Sequence, residues 1–187
     1  SDVVMMPAEF VENKEVAHTF DNYRPPMILD GKVYVFYEGS TILDARTGKE
    51  IEREKFKVNE DELALTEADV VVDEYNVYFS GRGRIRAVNR QTGKTVWKAD
   101  DLGVTPEMII VANILYVRTG GQFTRLKDGE IEEKGKFGVS AIDAKNGKIL
   151  WRFKGADRGI TNFLMQDRDT LLVADKDDLI QINTNNG

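Results

Sequence analysis

The chain has 187 residues, of which 41% are hydrophobic and 31% charged, with a formal net charge of −6 and no cysteine. This composition fits a globular domain with a substantial core, and the negative charge argues against a general nucleic-acid-binding protein. Without cysteine there can be no disulfide, thiolate metal site or cysteine nucleophile, and no apolar segment approaches the ~20 residues of a membrane-spanning helix.

The first 23 residues have only a weak pattern. Residues 13–20 faintly resemble residues 146–153, so they could form the outer strand of a preceding repeat or complete the last repeat by ring closure. The first alternative, which we prefer, implies that the chain is a piece of a longer repeat protein. His18 is the only histidine, and we interpret it as non-catalytic.

From about residue 24, one short sequence recurs four times, at residues 42–49, 87–94, 141–148 and 181–187. Its glycines, Gly48, Gly93, Gly147 and Gly187, are spaced by 45, 54 and 40 residues. A charged insertion at about residues 122–136 accounts for the long middle interval. Such a fixed spacing indicates a repeat architecture.

Each repeat contains short apolar runs separated by Gly, Asn and Asp turns. In the second repeat the runs are residues 68–72, 77–79, 84–89 and 94–97. Four short strands with short connections form an antiparallel meander, and a period of ~40–45 residues is typical of a β-propeller blade. The sequence therefore predicts an all-β propeller of about four blades, in repeats at about 24–53, 64–100, 104–154 and 159–187, the last without its outer strand.

The recurring residues at the corner of each repeat have a structural explanation. We expect each glycine to have a positive φ, with the polar side chain four residues earlier bonding the turn backbone, as at Asp44, Asn89, Asp143 and Asn183. Trp97 and Trp151 follow their glycines by four residues, and each is expected to pack across the gap between blades with its indole N–H on a backbone carbonyl. Glu52 replaces Trp in the first repeat, which predicts a weaker seam or a partner-facing edge.

Residues 141–151 resemble the tryptophan-docking motif of the quinoprotein-like (PQQ-like) β-propeller repeat, Ala-x-Asp-x-x-(Thr/Asn)-Gly-Lys-x-x-Trp. Residues 87–97 match nearly as well, residues 42–49 match without the Trp, and residues 181–187 are cut short. The resemblance covers most of the chain and implies a propeller that usually closes with seven or eight blades. It assigns Asp44, Gly48, Asn89, Gly93, Trp97, Asp143, Gly147 and Trp151 to the structural motif.

The resemblance implies a fold more firmly than an activity. Similar proteins include PQQ-dependent alcohol dehydrogenases, the BamB-type lipoprotein of outer-membrane barrel assembly, and sensor ectodomains of kinases. They are mostly periplasmic or extracytoplasmic. The dehydrogenases combine a catalytic Asp, a calcium ion and often a vicinal disulfide, which this chain cannot form. We therefore expect no catalytic, cofactor or metal residue, with PQQ and calcium relevant only if the chain is a dehydrogenase fragment.

Departures from the repeat are the candidate interaction sites. The insertion reads as a hairpin around the turn at Asp128, with Arg125 and Lys127 on one strand. Arg82, Arg84 and Arg86 alternate on one strand and could bind a carboxylate or phosphate, or pair with acidic neighbours. For the arginines, the structural alternative to ligand binding is that they pair with acidic residues of the same chain. For the insertion, the structural alternative to a contact site is a hairpin that is merely exposed to solvent.

Asp175, Asp177 and Asp178 could suggest calcium, but they lack the spacing of a calcium loop and read more simply as a hairpin turn.

These patterns favour a non-catalytic interaction scaffold, with envelope protein assembly as one setting. The alternatives are a fragment of a PQQ-dependent dehydrogenase and a ligand-sensing ectodomain. A protein partner is expected, with self-association or further blades completing the ring. No nucleic acid and no membrane span are expected.

Overall fold

A computed structural model describes residues 25–36, 39–55, 69–81, 84–100, 102, 107–119, 124–127, 130–133, 137–156, 160–175 and 178–187. All regular secondary structure in these ranges is β-strand. Residues 1–23, including His18, lie outside the described residues, so both interpretations of that segment stay predictions.

Within these ranges, seventeen strands form four consecutive antiparallel sheets and one separate hairpin. Sheet 1 contains β1 (Met27–Leu29), β2 (Lys32–Val35), β3 (Gly39–Asp44) and β4 (Glu50–Lys55). Sheet 2 contains β5 (Val70–Val72), β6 (Asn76–Gly81), β7 (Arg84–Asn89) and β8 (Thr95–Ala99).

Sheet 3 is interrupted by the hairpin. Its strands are β9 (Met108–Val111), β10 (Ile114–Thr119), β13 (Phe137–Asp143) and β14 (Ile149–Ala156), and the hairpin consists of β11 (Thr124–Lys127) and β12 (Glu130–Glu133). Sheet 4 contains β15 (Ile160–Met165), β16 (Thr170–Asp175) and β17 (Asp178–Asn183). The charged insertion thus lies between the second and third strands of its blade.

Within each sheet the strands follow one another in chain order, as in a meander. A register shift recurs just before the corner, between Ile42 and Leu43, Ala87 and Val88, and Ala141 and Ile142. Repetition of the same irregularity shows that the sheets are copies of one unit. The prediction of four-stranded antiparallel propeller blades is confirmed.

Among the described residues, the core consists of three hydrophobic clusters, and each cluster lies between two consecutive sheets. Because successive side chains of a strand point to opposite faces, Val77 and Phe79 pack against sheet 1 whereas Tyr78, between them, packs against sheet 3. We call these contacts seam 1 (sheets 1 and 2), seam 2 (sheets 2 and 3) and seam 3 (sheets 3 and 4). Every internal blade is therefore apolar on both faces.

Candidate functional site at the corners and seams of the blades

Each third strand ends in a tight corner. In the first corner, Asp44 Oδ1 accepts hydrogen bonds from the N–H groups of Arg46 at 3.1 Å and Thr47 at 2.7 Å. Gly48 N–H donates to the Asp44 carbonyl at 2.8 Å, with a φ of 69° that favours glycine. Hydrogen bonds from Thr47, first from its hydroxyl and then from its N–H, lower the pKa of Asp44. The carboxylate form therefore stabilises the corner.

Trp97 joins the corner of sheet 3 to sheet 2. Its indole N–H donates to the Ala144 carbonyl at 2.8 Å, and a Cβ at Gly147 would lie only 2.6 Å from Cε3 of the ring. Glycine at 147 therefore provides both the positive φ and the space for the indole. The equivalent contacts of seam 3 join Trp151 to the Thr184 carbonyl (2.8 Å) and to Gly187 (2.7 Å from a built Cβ to Cε3).

Seam 1 fills the same space without an indole. A Cβ at Gly93 would meet the aliphatic carbons of three side chains at 3.0, 3.2 and 3.4 Å, namely Ile51, Lys32 and Ile42. The Lys32 ammonium donates at 2.6 Å to the carbonyl of Arg90, the residue that corresponds to Ala144 and Thr184. Lys32 thus replaces the indole as the donor to the corner.

A cluster of opposite charges, which we call the charged seam, lies between sheets 1 and 2. It contains Glu52 and Glu54 of β4, Arg84 and Arg86 of β7, and Lys98 of β8. Glu54 accepts from Lys98 at 2.7 Å, from Arg84 at 2.9 Å and from Arg86 at 3.3 Å. Glu52 lies 3.4 Å from the Arg86 guanidinium. Two carboxylates and three cations thus connect the outer strand of sheet 1 with the third and fourth strands of sheet 2.

Glu52 has further partners inside the seam. Its Oε2 accepts from the Thr95 N–H at 2.9 Å and the Thr95 hydroxyl at 2.6 Å. The hypothesis that this position forms a partner-facing edge is therefore wrong, because β8 of the next blade covers the carboxylate.

Arg86 is the most buried charge of the charged seam, with 3% of the residue exposed. Its guanidinium donates to the Ser40 hydroxyl and lies 4.7 Å from the centre of the Phe79 ring. Burial lowers the pKa of Arg86, although Glu54 and Glu52 act in the opposite direction. A buried guanidinium is tolerated here because carboxylates, a hydroxyl and an aromatic face surround it.

The alternation of Arg84 and Arg86 places both side chains toward sheet 1, where they form ion pairs with Glu52 and Glu54. Arg84 also lies 3.4 Å from Asp100 of its own blade. Arg82 lies outside the described residues. Among the described arginines of this strand, the geometry corresponds to the pairing interpretation rather than to a bound carboxylate or phosphate.

The charged seam predicts a loss of stability in acid. Burial acts to raise the pKa of Glu54, but hydrogen bonds from Lys98 and Arg84 and the charge of Arg86 outweigh it, so the pKa lies below its ordinary value of 4.5. Because the pKa of Glu54 is lower in the folded protein, its ionised carboxylate stabilises the fold above pH 4.5, the ordinary pKa. This stabilisation is lost as the pH falls through the lower pKa of the folded state. The Glu54→Gln variant should therefore lose less unfolding free energy on acidification, measured by urea titration at falling pH. Parallel curves for the two proteins would contradict this assignment.

The insertion hairpin pairs Arg125 with Glu132 and Lys127 with Glu130 across its two strands. Asp128 lies outside the described residues. The register places opposite charges at directly facing positions, which fits either a solvated hairpin or a charged contact surface.

The remaining acidic candidates lie in sheet 4, where Asp175 pairs with Asp178 next to the turn between β16 and β17. Asp177 is outside the described residues. Within the described ranges, no three His, Cys, Asp or Glu residues are grouped to hold a metal ion. No helix in the described part of the chain is long and apolar enough to cross a membrane.

Sequence reasoning missed Lys32, Ser40, Glu54 and Lys98. One signal was available: Glu52 and Glu54 alternate on the fourth strand of one repeat as Arg84 and Arg86 alternate on the third strand of the next. Opposite charges at equal spacing on neighbouring blades can face each other across a seam.

Comparison with solved structures agrees with the fold. Similar chains include the computationally designed Ika8 protein, with 12% identity, a TM-score of 0.56 and coverage of 86% of this chain and 45% of that chain. The quinohemoprotein alcohol dehydrogenase ADHIIG of Pseudomonas putida HK5 shares 20% identity, with a TM-score of 0.52 and coverage of 79% and 27%. The Pan2 WD40 domain of Neurospora crassa shares 11% identity, with a TM-score of 0.51 and coverage of 83% and 47%.

This chain spans less than half the length of each of these three structures, and such low identities show the fold alone. No curated protein matches it. Residues 12–133 match the family described as outer membrane protein assembly factor BamB, and they make up 122 of the 187 residues. The chain therefore belongs to the BamB family of PQQ-like repeat proteins.

Proposed function

We propose that the protein is a non-catalytic propeller scaffold that binds other proteins during outer-membrane assembly, on the extracytoplasmic side of the cell. The observation that carries this proposal is the family match over residues 12–133, because the family is described as an outer membrane protein assembly factor. The compartment is proposed on the same ground.

The seams support a role in rigid display. Trp97, Trp151 and the charged seam use their polar groups within the fold, at the contacts between consecutive blades. Blades held in this way keep their connecting loops at fixed relative positions, and loops on a rigid framework commonly bind partners.

The insertion hairpin is the contact element that we assign to a partner. It is an extra two-stranded sheet in one blade, whereas the other blades join their second and third strands by short connections. Its sequence supplies two cations, Arg125 and Lys127, and the acidic residues Glu130, Glu132 and Glu133. Charge reversal at the two cations would repel an acidic partner surface while leaving the seams intact.

Deletion of the gene in its host tests the proposal. The expected result is a lower amount of β-barrel proteins in the outer membrane, restored by the unmodified gene but only weakly by the double variant Arg125→Glu/Lys127→Glu. The matched control is Lys145→Glu/Lys154→Glu, which makes the same charge change at exposed positions of sheet 3 outside the hairpin. Unchanged barrel proteins after deletion would contradict the scaffold function, and full rescue by the hairpin variant would contradict the assigned contact.

A PQQ-dependent dehydrogenase fragment and a ligand-sensing ectodomain remain the alternatives. Dye-linked alcohol oxidation by the purified chain with PQQ and calcium would favour the first of them over the scaffold. A rise in melting temperature with a small molecule would favour the second, since ligands stabilise the folded state by mass action.

A further inference from the structure

The two Asn-Gly pairs of the chain, residues 146–147 and 186–187, both lie at corners of the repeat. In an Asn-Gly pair the glycine nitrogen can attack the side-chain amide of the asparagine, because glycine has no Cβ to hinder the approach. In the first two corners the residue before the glycine is a threonine, Thr47 or Thr92. The third corner, on which Trp97 packs, therefore contains a reactive pair that the first two corners lack.

The folded corner keeps this pair from reacting. The Gly147 N–H donates to the Asp143 carbonyl at 2.8 Å. The Asn146 side chain is held at both ends, because its Oδ1 accepts from the Lys148 N–H at 2.8 Å and its Nδ2 donates to Asp143 Oδ2 at 2.8 Å. A hydrogen-bonded amide loses its proton only when the structure opens, and the Asp143 carboxylate disfavours an anionic nitrogen beside it. The reaction therefore requires an open corner.

Seam 2 holds this corner closed. The Trp97 indole donates to the Ala144 carbonyl at 2.8 Å, and its ring lies directly against Gly147. Ala144 is buried in the seam, although Asn146, two residues later, is exposed. The backbone between Ala144 and Gly147 cannot move away without breaking these contacts of Trp97. Opening of the corner thus accompanies separation of sheets 2 and 3.

We propose that Asn146 is a modification site whose reaction depends on the opening of seam 2. In the open corner, the Gly147 nitrogen gives its proton to hydroxide and bonds to Cγ of Asn146. The bond between Cγ and Nδ2 then breaks, and ammonia leaves with a proton taken from water. A second water molecule opens the resulting cyclic imide at either of its carbonyl groups, which leaves aspartate or isoaspartate in place of the asparagine.

Neither product fits the folded corner. Aspartate places a carboxylate against the Asp143 carboxylate, at the point where Nδ2 of Asn146 donates a hydrogen bond. Isoaspartate adds a backbone atom between Asp143 and Gly147, whose hydrogen bond and positive φ depend on the fixed spacing of the corner. The modification therefore weakens the surface on which the Trp97 indole packs, so an opening of seam 2 becomes difficult to reverse.

The rate of deamidation at each Asn-Gly pair, measured by peptide mass spectrometry at mildly alkaline pH, tests the proposal. At Asn146 the rate in urea-unfolded protein should exceed the rate in buffer by at least ~10-fold. In buffer, Trp97→Ala should accelerate the reaction mainly at Asn146. Trp151→Ala is the matched control and should accelerate it mainly at Asn186, which lies in the corner of seam 3.

Three results would overturn the dependence on seam 2. They are equal rates at Asn146 in buffer and in urea, no deamidation of Asn146 in urea, and acceleration of both pairs to the same extent by each tryptophan variant. The last result would mean that the pairs react only after the whole chain unfolds.

Two variants test the structural consequence without any need for the reaction. Asn146→Thr introduces the residue of the first corner, where the Thr47 hydroxyl donates to Asp44 Oδ1 at 2.8 Å and accepts from the Lys49 N–H at 3.3 Å. Asn146→Asp reproduces the aspartate product. At neutral pH it should melt about 2–4 °C below Asn146→Thr, the shift expected for one lost hydrogen bond in a chain of this size. Equal melting temperatures would contradict a weakened seam.

Discussion

Replacing Trp97 by alanine is expected to lower the free energy of unfolding by about 3–5 kcal/mol, the range of large-to-small changes of aromatic core residues. The indole is 8% exposed, contacts Tyr78 with ring centres 5.8 Å apart, and donates to the Ala144 carbonyl. Its removal would open a cavity in seam 2 and weaken the contact between sheets 2 and 3. Urea unfolding followed by circular dichroism measures the loss.

Two controls separate the parts of this effect. Trp97→Phe keeps an aromatic ring but loses the N–H donor, and it should cost about 1–2 kcal/mol. Gly147→Ala and Gly48→Ala both place a Cβ at a positive φ, of 77° and 69°, but only the first meets the indole. Gly147→Ala should therefore be clearly more destabilising than Gly48→Ala. Equal losses for the two glycine variants, or a loss below about 1 kcal/mol for Trp97→Ala, would show that the ring is not packed against the corner.

The corners could be predicted because their causes are local. A polar residue, three turn residues and a glycine at fixed spacing determine the hydrogen bonds of Asp44 and the positive φ of Gly48 without any distant contact. The period of the repeat then places Trp97 one blade away from the corner of Gly147. A local motif that recurs at intervals of this size therefore predicts a propeller from the sequence alone.

The charged seam could not be predicted in the same way, because its members lie on different blades. The partners Glu54 and Arg86 are 32 residues apart, and their meeting depends on how sheet 1 packs on sheet 2. Seam 1 also differs from the other two because Lys32 takes over the donor role of the indole. The sequence showed that Trp was missing at position 52, but not which groups would replace its packing and its hydrogen bond.

Arg86→Met is the second variant with a large expected effect, a loss of about 3–5 kcal/mol at neutral pH, because removing one partner of a buried ion pair leaves uncompensated charge. Glu52 and Glu54 would remain within the seam, with side chains only 24% and 13% exposed, and the Ser40 hydroxyl would lose its guanidinium partner. Methionine fills much of the volume of the arginine stem, so the loss reports mainly on charge rather than on a cavity. Chemical denaturation of both proteins at neutral pH measures it.

Arg84→Met is the matched control, because it removes the same group two residues earlier on the same strand and from the same partner, Glu54. The Arg84 side chain is 40% exposed against 4% for Arg86, so its removal should cost about 1 kcal/mol or less. Adding Glu52→Gln to Arg86→Met should restore part of the lost stability, because Glu52 loses its described cation partner whereas Glu54 keeps Lys98 and Arg84. A loss of stability in Arg86→Met as small as that in Arg84→Met would contradict this prediction. It would mean that the buried ion pairs contribute little to seam 1, so that Glu52 in place of Trp leaves a weak seam.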